Sequence, residues 1–350
     1  MMEPPEHLRM LKESAAGIAS RKGDLQRIRT LRFTEPGFDR QTWLKMCEMG
    51  WLGLRVAEES GGSGLGTQEL CALVEELGAG LVPEPLIPAA MAASLLPADH
   101  LPDVLSGERI VLPAWQEQPG SLALDDETLL RDGRLTGRKI FVPMAAGADA
   151  FLVTVQGGLA LIERHAPGLH LEVQTTQDGG HFGTLTFDNA PAEALAGDGC
   201  HALEHSIIAN AAYLLGLMDR AFAITLDYMK TREQFGQKIG SFQALQHRAA
   251  DLLIQLSLTR ATVRSAAQTL DEQPAREACQ AAVSRAKLRA SDAAMVVTRT
   301  CIQLHGGIGY TDAADIGLFL RKAMVLAPLY GSQAVHRARF RAVAPEVSED

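Results

Sequence analysis

Apolar residues recur at helical spacing over the first hundred residues of the chain. The clearest run has intervals of three and four and consists of Leu70, Leu73, Val74 and Leu77. Such spacing predicts one buried helix face, and the proline-rich stretch from Leu81 to Pro85 predicts its end, because proline cannot continue a helix. The glycines from Glu58 to Gly66 do not follow a strand in the order G-x-G-x-x-G. We therefore interpret this stretch as a turn between helices and not as a dinucleotide cradle.

The pattern changes to short apolar runs between about Glu108 and Pro191. Ile140 to Val142 and Phe151 to Val155 are short enough for strands, and Asp132-Gly133 is a typical hairpin turn. Strands of this length with tight turns predict a small antiparallel sheet or barrel.

Helical spacing returns after about Ala194. One apolar face consists of Leu203, Ile207, Leu214, Leu215, Met218 and Phe222. Two more helices are predicted through Leu256 toward Leu270 and from about Ala275 to Leu304, with Pro274 as the break. Long helices with short links indicate an up-and-down bundle. We therefore predict an α+β fold with a helical domain at 1–107, a central β domain at 108–193 and a helical bundle at 194–350, whose acidic tail from Ala344 is frayed.

Composition restricts the class of protein further. The chain has 350 residues, 47% of them hydrophobic, and a net charge of −9, which argues against a nucleic-acid partner. Its five cysteines are scattered and show no C-x-x-C spacing, which favours a reducing compartment and argues against a structural metal. We find no signal-peptide pattern and no apolar run near the ~20 residues that cross a bilayer. A soluble cytoplasmic protein without a membrane partner is expected.

Two polar motifs stand out against this background. The first lies between Thr231 and Leu252, where Arg232, Phe235 and Gly236 form R-x-x-F-G and Gln243 follows. A fixed cation, a ring and an amide at a turn between two helices suit a ligand with a pyrophosphate and an adenine. An ordinary helix-turn-helix with a polar rim would show the same spacing.

The second motif runs from Gln303 to Thr311 and contains Gly306 and Gly307. Glycines allow close backbone approach, and free N–H groups there can receive an anion. A helix C-cap followed by a turn would look the same.

The amino-acid sequences of both motifs resemble those of the acyl-CoA dehydrogenase family. The phrases GWLGLRVAEESGGSGLG near the N-terminus and GRKIFVPMAAGADAFLVTV in the central region extend the resemblance over nearly the whole chain. The resemblance implies that the central strand and the loop after it face the flavin ring. The resemblance implies that FAD is bound by Arg232, Phe235, Gln243, Gln303, Gly306 and Gly307. In that family the two motifs reach the FAD of a neighbouring subunit, so a homo- or hetero-oligomer, dimer or tetramer, is implied.

The resemblance also implies a reaction, the α,β-desaturation of an acyl-CoA thioester with electrons passed to an electron-transfer flavoprotein. A carboxylate removes the α-proton while a hydride leaves the β-carbon for the flavin. The final stretch, HGGIGYTDAADIGLFLRKAMVLAPLYG, resembles the bacterial branch that includes paired subunits and steroid side-chain degraders.

The position of the catalytic base departs from most of the family. Most relatives carry a glutamate in a Y-E-G-T-S stretch, where this chain has Leu329 to Ser332 without a carboxylate. A minority carry it on the first helix of the bundle, where counting back from Arg232 leads to Ser206. The nearest carboxylate is Glu204, two residues before Ser206. Two residues along a helix change the direction of the side chain by roughly 200°. Glu204 could also be a solvated charge at an exposed helix start. His305 could act as a base by residue type, but a histidine packed beside glycines more often has a structural role.

A second departure concerns a segment that contacts flavin and CoA in the family. Its usual T-E-P-x-x-G-S-D pattern is replaced by Pro113 to Ser121, without the threonine and the aspartate. Two main hypotheses follow. The chain is an active enzyme whose base is Glu204 or another carboxylate, or it is a base-less companion subunit, structural and flavin-binding, of a heterotetrameric acyl-CoA dehydrogenase. A flavin protein of this fold with other chemistry is a third.

Overall fold

The order of helices and strands along the chain confirms the predicted α+β arrangement. The computed structural model describes residues 6–19, 21, 23–124, 127–272 and 275–343. The predicted break at Pro274 and the predicted frayed tail from Ala344 lie outside the described residues. Within the described ranges the helices are α1 (Glu6–Ala15), α2 (Gln26–Leu31), α3 (Arg40–Glu48), α4 (Thr67–Ala79), α5 (Leu86–Ala93), α6 (Leu101–Leu105), α7 (Cys200–Thr231), α8 (Gln243–Glu272), α9 (Arg276–His305), α10 (Ile316–Leu326) and α11 (Gln333–Val343).

The strands lie mainly between α6 and α7. They are β1 (Val111–Ala114), β2 (Leu129–Arg131), β3 (Arg134–Pro143), β4 (Ala150–Val155), β5 (Gly158–Glu163), β6 (Leu169–Thr175), β7 (His181–Pro191), β8 (Glu193–Leu195), β9 (Glu233–Gln234) and β10 (Gln237–Lys238).

The described chain forms two compact units. The sheet unit contains residues 26–66 and 83–206, and the helical unit contains the described parts of 1–25, 67–82 and 207–350. The three-domain division at 107 and 193 stays a prediction.

The sheet unit contains two four-stranded sheets, of order β1-β4-β5-β8 and β2-β3-β7-β6. Asp132 and Gly133 form the predicted two-residue hairpin turn between β2 and β3, with φ of 49° and 71°. The expectation of wholly antiparallel strands is wrong at one pair, since β1 and β4 run parallel. The chain between them leaves for the other sheet and returns, and such a crossover is what a parallel pair requires.

A buried ion pair holds the segment that departs from the family pattern. The Lys139 side chain of β3 is fully buried, and its Nζ donates to Glu117 Oε1 at 2.9 Å and to Thr154 Oγ1 at 3.0 Å. Glu117 also accepts from the backbone N–H and the hydroxyl of Thr128. Burial alone would raise the pKa of Glu117, but these hydrogen bonds outweigh it and lower the pKa from 4.5 to about 2.

Glu117→Gln is expected to lower the free energy of unfolding by about 2–3 kcal/mol at pH 7, since an amide leaves the buried Lys139 ammonium without its counter-charge. Because the folded-state pKa is depressed, the carboxylate stabilises the wild type above about pH 4.5 and loses this contribution as pH falls toward 2. Urea unfolding at a series of pH values should show that the variant lacks this acid-dependent loss. Glu127→Gln is the control, because Glu127 contacts Glu117 only through its backbone N–H. Equal acid sensitivity in Glu117→Gln and the wild type would contradict the assignment.

The helical unit is built around α7, α8 and α9, of 32, 30 and 30 residues. The predicted bundle helices are therefore confirmed in type and approximate length. By length and composition α7 could also cross a membrane, contrary to the absence of such a run expected from sequence, and 78% of its apolar window is buried. Core helices of soluble proteins have the same length and composition.

A buried lysine joins three elements of the helical unit. Lys287 of α9 donates from Nζ to Asn210 Oδ1 at 2.5 Å and to the carbonyls of Leu326 and Ala327 at 2.9 and 3.1 Å. The latter two carbonyls end α10, where the helix dipole favours a cation. Burial lowers the pKa of Lys287 to about 7, while three acceptors match the three hydrogens of an ammonium group.

The glycine-rich stretch before α4 is a folded turn, as predicted. Ser63 donates its backbone N–H to Gly53 O at 3.0 Å, and Gly64 donates to Val56 O at 2.9 Å. These backbone groups are satisfied within the turn, and an added Cβ at Gly62 would lie 2.1 Å from Val56 O. The stretch therefore has no free row of N–H groups that would hold a phosphate.

Candidate functional site

The R-x-x-F-G motif forms a two-stranded hairpin directly after α7. Strands β9 and β10 pair in register through Gln234 and Gln237, which leaves Phe235 and Gly236 as a two-residue turn. Both have positive φ, 54° and 77°, as a type I′ turn requires. Ile239 donates to Arg232 O at 2.9 Å and closes the base of the hairpin. The local sequence thus places Arg232 at the base and the Phe235 ring at the tip.

The side chains of this hairpin face outward. Phe235 is 92% exposed, and the nearest ring, Phe242, lies edge-on at 6.3 Å between centroids. Arg232 is exposed and forms no ion pair with another described residue. Burying an exposed aromatic side chain contributes about 1.5–3 kcal/mol. Binding of a ligand or a protein surface that covers Phe235 would therefore be favoured.

The second motif ends α9 with an open glycine turn. Gln303 is exposed in the last turn of the helix, and Gly306 follows His305 with φ of 66°. A Cβ added to Gly306 or Gly307 would meet no atom within 4 Å. The backbone there leaves room for a ligand to approach.

A ring stack connects the two motifs. Tyr228, in the last turn of α7, stacks on His305 with centroids 4.5 Å apart and an interplanar angle of 16°. His305 Nδ1 lies 2.8 Å from Cys301 O, so Nδ1 carries the donating proton. Burial lowers the pKa of His305. The ring therefore holds the ends of α7 and α9 together, which agrees with a structural role for His305.

All six predicted FAD residues lie exposed in the helical unit. We call them the FAD cluster, namely Arg232, Phe235, Gln243, Gln303, Gly306 and Gly307. Their role toward FAD stays a prediction, but the Tyr228–His305 stack places the chain segments that carry most of them next to each other.

A groove between α8 and α9 extends from Gln303. It has a volume of about 440 Å³ and is lined by Arg248, Asp251, Leu252, Gln255, Val296, Arg299, Thr300 and Gln303. Sequence analysis missed Arg248 and Arg299, because they belong to no motif and come together only through helix packing.

Glu204 lies in the sheet unit and is buried. It sits in the second turn of α7 and is 7% exposed, so the expected exposed helix start is wrong. The turn that precedes α4 contacts this end of the helix within the same unit. From that turn, Arg55 Nη2 donates to His205 Nε2 at 2.8 Å, since a guanidinium only donates. Arg55 was not foreseen, because no spacing relates residues 150 positions apart.

The stretch Leu329 to Ser332 is a buried corner. Tyr330 is 2% exposed with φ of 60°, and its carbonyl accepts from His336 Nε2 at 2.9 Å. Burial raises the pKa of the Tyr330 phenol, which makes it unsuitable as a base at neutral pH. The stretch thus provides no catalytic carboxylate.

The strand predicted to face the flavin ring is irregular. Between Lys139 and Val142 the register of β3 with β7 shifts, and Phe141 has φ of 56°. Its ring is partly exposed and lies edge-on to Phe182, 5.9 Å between centroids. Pro143, two residues later, has no N–H to offer a ligand.

Comparison with known proteins decides the family. Residues 5–97 match the family model described as acyl-CoA dehydrogenase, N-terminal domain, and residues 200–344 match that of the C-terminal domain. The chain belongs to the acyl-CoA dehydrogenase family. It is accordingly an oxidoreductase of the class that dehydrogenates acyl-CoA with FAD.

Relatives of this acyl-CoA dehydrogenase match nearly its whole length. Acyl-CoA dehydrogenase IpdE2 of Mycobacterium tuberculosis is 31% identical over 332 residues, 95% of each chain. A solved structure, the Tcur3481–Tcur3483 steroid ACAD, is 31% identical over 97% of each chain with a TM-score of 0.87. The ChsE4–ChsE5 complex from Mycobacterium tuberculosis is 26% identical over 97% of each chain, also with a TM-score of 0.87.

The FAD cluster has the chemistry to hold one side of FAD. Arg232 offers a guanidinium that no described carboxylate neutralises, and Gly306 and Gly307 leave their backbone open. The exposed Phe235 ring offers a flat apolar face. When bound, FAD supplies the acceptor for the hydride.

Proposed function

We propose that this acyl-CoA dehydrogenase carries out α,β-desaturation in the cytoplasm and passes its electrons to an electron-transfer flavoprotein. We further propose that the FAD cluster contacts an FAD held mainly by a second chain. The supporting observation is the hairpin whose Phe235 is 92% exposed beside Arg232, which forms no ion pair with a carboxylate of the described residues. An aromatic ring and a guanidinium in water are suited to a dinucleotide that arrives with a partner.

Each residue of the FAD cluster has a distinct part in this proposal. Arg232 pairs with a phosphate oxygen through its guanidinium, and Phe235 stacks on the adenine. The amides of Gln243 and Gln303 orient the dinucleotide. Gly306, whose N–H donates to Gln303 O, and Gly307 let the ligand come close to the backbone, because a Cβ there would meet no atom within 4 Å. In the sheet unit, the buried carboxylate of Glu204 accepts the α-proton of the thioester, and the Arg55–His205 contact positions the start of α7.

Arg232→Ala is expected to weaken FAD binding by roughly 10–100-fold, because a charged hydrogen bond contributes about 1.5–3 kcal/mol. FAD per chain would be measured from absorbance at the flavin and protein bands after gel filtration, with FAD titration of the apoprotein. Arg337→Ala is the matched control, an exposed arginine of α11 outside the cluster. Unchanged FAD affinity in Arg232→Ala would remove this assignment.

A second candidate function is that of a base-less companion subunit in a heterotetramer. It is favoured by the buried corner at Tyr330, which has no carboxylate, and by Pro143, which has no N–H on the strand expected to face the flavin. The names of two similar structures, Tcur3481–Tcur3483 and ChsE4–ChsE5, are those of paired chains.

The two candidates differ in what the purified chain does alone. FAD-loaded chain would be mixed anaerobically with octanoyl-CoA and, separately, with the CoA thioester of a steroid side-chain acid, since one similar structure is described as a steroid ACAD. Bleaching of the flavin supports an enzyme with its own base. A chain that is inert alone but desaturates after co-expression with a second family subunit supports the companion role.

A further inference from the structure

The N-terminal segment between Glu6 and Leu25 has few buried apolar residues. In its described part, residues 6–19, 21 and 23–25, the buried ones are Ala15, Ala19 and Leu25. Helix α1 has a single buried residue, Ala15, and its Met10 is 63% exposed. A surface helix ordinarily buries about three apolar residues in every two turns. Contacts of another kind must therefore attach this segment to the rest of the helical unit.

The main contact is a closed ring of six charged side chains, which we call the charge ring. Its members alternate in sign, and each contacts the next in the order Lys12, Glu75, Arg260, Asp219, Arg21, Glu76 and back to Lys12. The nitrogen–oxygen distances around the ring lie between 2.5 and 3.3 Å. The N-terminal segment supplies Lys12 and Arg21, and the other members belong to α4, α7 and α8.

Arg21 binds two carboxylates of the charge ring at once. Its Nε and Nη2 donate to the two oxygens of Glu76 at 2.5 and 3.0 Å, and its Nη1 donates to Asp219 Oδ2 at 2.5 Å. Bidentate pairs of guanidinium and carboxylate are among the strong hydrogen bonds of proteins. Burial alone would raise the pKa of Asp219, but the hydrogen bond from Arg21 and the charge of Arg260 outweigh it and lower the pKa. The N-terminal segment thus helps to keep a carboxylate of α7 ionised.

The N-terminal segment contacts α4 from its first turn to its end. Near the start of α4, His7 Nε2 lies 2.9 Å from Glu69 Oε1. Just after the end of α4, Ala19 packs on Gly80, where an added Cβ would lie 2.8 Å from the Ala19 Cβ. The segment therefore lies along the outside of α4 and is fixed to it mainly by polar groups.

The charge balance of the ring depends on this N-terminal segment. Without Lys12 and Arg21, Arg260 is the one cation of the ring against three carboxylates, which is a net charge of −2. The side chains of Glu75 and Glu76 are 10% exposed, so repulsion between them is screened less than it would be at the surface. Neutralisation of these carboxylates is therefore the largest gain that the segment makes by closing.

We propose that the N-terminal segment is a strap that opens and closes as one unit, and that ionic strength sets the balance between the two states through the charge ring. Chain termini are poorly ordered unless they are tied down, and segments with few buried apolar contacts open at a lower free energy than the whole fold. Helix α4 would stay in place when the strap opens, because it packs closely on α7 by itself. An added Cβ at Gly78 would lie 2.1 Å from Tyr213 O. No member of the charge ring belongs to the FAD cluster, so the strap does not depend on the function proposed above.

Hydrogen–deuterium exchange of the full chain tests the strap. Arg21→Gln removes two contacts of the charge ring and lies outside α1. We expect it to raise the exchange rates of all the α1 amides together by roughly 10–100-fold, the effect of losing a charged hydrogen bond. The amides of α7 and α9 should change by less than about twofold, because they open only with the whole unit.

A variant outside the strap tests whether the charge ring holds it. Asp219→Asn changes a residue of α7 that is 198 positions from Arg21, and we expect it to raise α1 exchange by roughly tenfold. In the variant with both Arg21→Gln and Asp219→Asn, the increase should be smaller than the product of the two single increases, because both remove the same hydrogen bond.

Ionic strength is the condition that should move the strap in the wild type. Raising the salt concentration from about 50 to about 500 mM shortens the range of charge interactions. We expect the α1 amides of the wild type to exchange at least about threefold faster at the higher concentration. The increase should be smaller in Arg21→Gln, whose charge ring is already broken.

Arg9→Gln is the matched control within the strap. Arg9 lies on α1 with a side chain that is 62% exposed, and its ion pairs are with Glu6 and Glu13 of the same helix, both at 3.7 Å. Glutamine has nearly the same helix propensity as arginine. The exchange of α1 should therefore change by less than about twofold in this variant.

Three results would overturn the proposal. An equal rise in exchange over α1, α4, α7 and α9 in Arg21→Gln would show that the charge ring supports the whole unit and that no separate strap exists. Unchanged α1 exchange in Asp219→Asn would show that the charge ring does not hold the segment. Wild-type α1 exchange that is the same at both salt concentrations would exclude ionic strength as the control.

Discussion

Lys287→Met is expected to lower the free energy of unfolding by about 2–5 kcal/mol at pH 7. The substitution fills the same space but withdraws the donor from Asn210 Oδ1 and from Leu326 O, and each buried acceptor left unpaired costs about 1–3 kcal/mol. Ala327 O keeps one donor, Ser291 Oγ at 3.0 Å. The loss should appear in urea unfolding as a lower midpoint with an unchanged slope, because the surface exposed on unfolding does not change.

A double-mutant cycle with Asn210→Ala makes this prediction specific. Lys287 Nζ and Asn210 Oδ1 are 2.5 Å apart. The loss of unfolding free energy in the double variant should therefore be smaller than the sum of the two single losses by at least about 1 kcal/mol. Lys230→Met is the control, since this lysine of α7 is 72% exposed and should change stability by less than about 0.5 kcal/mol. Additive losses, or a change below 1 kcal/mol in Lys287→Met, would show that the lysine does not hold the end of α10.

Glu204→Gln is expected to reduce the desaturation rate by roughly 10²–10⁴-fold if this chain has its own base, the usual contribution of a positioned general base. The amide has nearly the same shape, so FAD content and acyl-CoA binding should be unchanged. Single-turnover reduction of the flavin by the acyl-CoA measures the chemical step directly.

The control for this prediction is Glu193→Gln, a half-exposed glutamate of the same unit. A further variant combines Glu204→Gln with Ser206→Glu, which moves the carboxylate to the position found by counting back from Arg232. Recovery of the rate in that variant would show that the helix presents position 206 to the substrate. Full activity of Glu204→Gln would exclude Glu204 and favour the companion subunit.

Local signals foresaw the parts of the molecule that neighbouring residues determine. Asp132-Gly133 specifies its own hairpin turn, and the long helices followed from apolar spacing. The R-x-x-F-G motif was interpreted as a compact turn, and the hairpin at Phe235 and Gly236 has that form because only a few residues around it are involved.

Contacts between residues far apart in the sequence could not be predicted from local patterns. Whether Glu204 is solvated depends on the segments that pack around the start of α7. One segment that reaches this part of the helix is the turn that carries Arg55, which contacts His205 and is far away in sequence. The parallel pairing of β1 with β4 depends on a crossover through the other sheet. The spacing of residues along the chain predicts neither feature, because each depends on which distant segments pack together.

The sequence by itself indicated the family, the long helices, the region of short strands and the two motifs assigned to FAD, since periodicity, turn chemistry and motif sequence are local properties of the chain. Only the tertiary structure decided that Glu204 is buried, that Tyr228 and His305 join the two motifs, and that Leu253, Ile254 and Leu258 of α8 stay exposed. The burial of a side chain and the contacts of its ring depend on neighbours that folding brings together from distant parts of the chain. They can therefore be determined only from the folded structure.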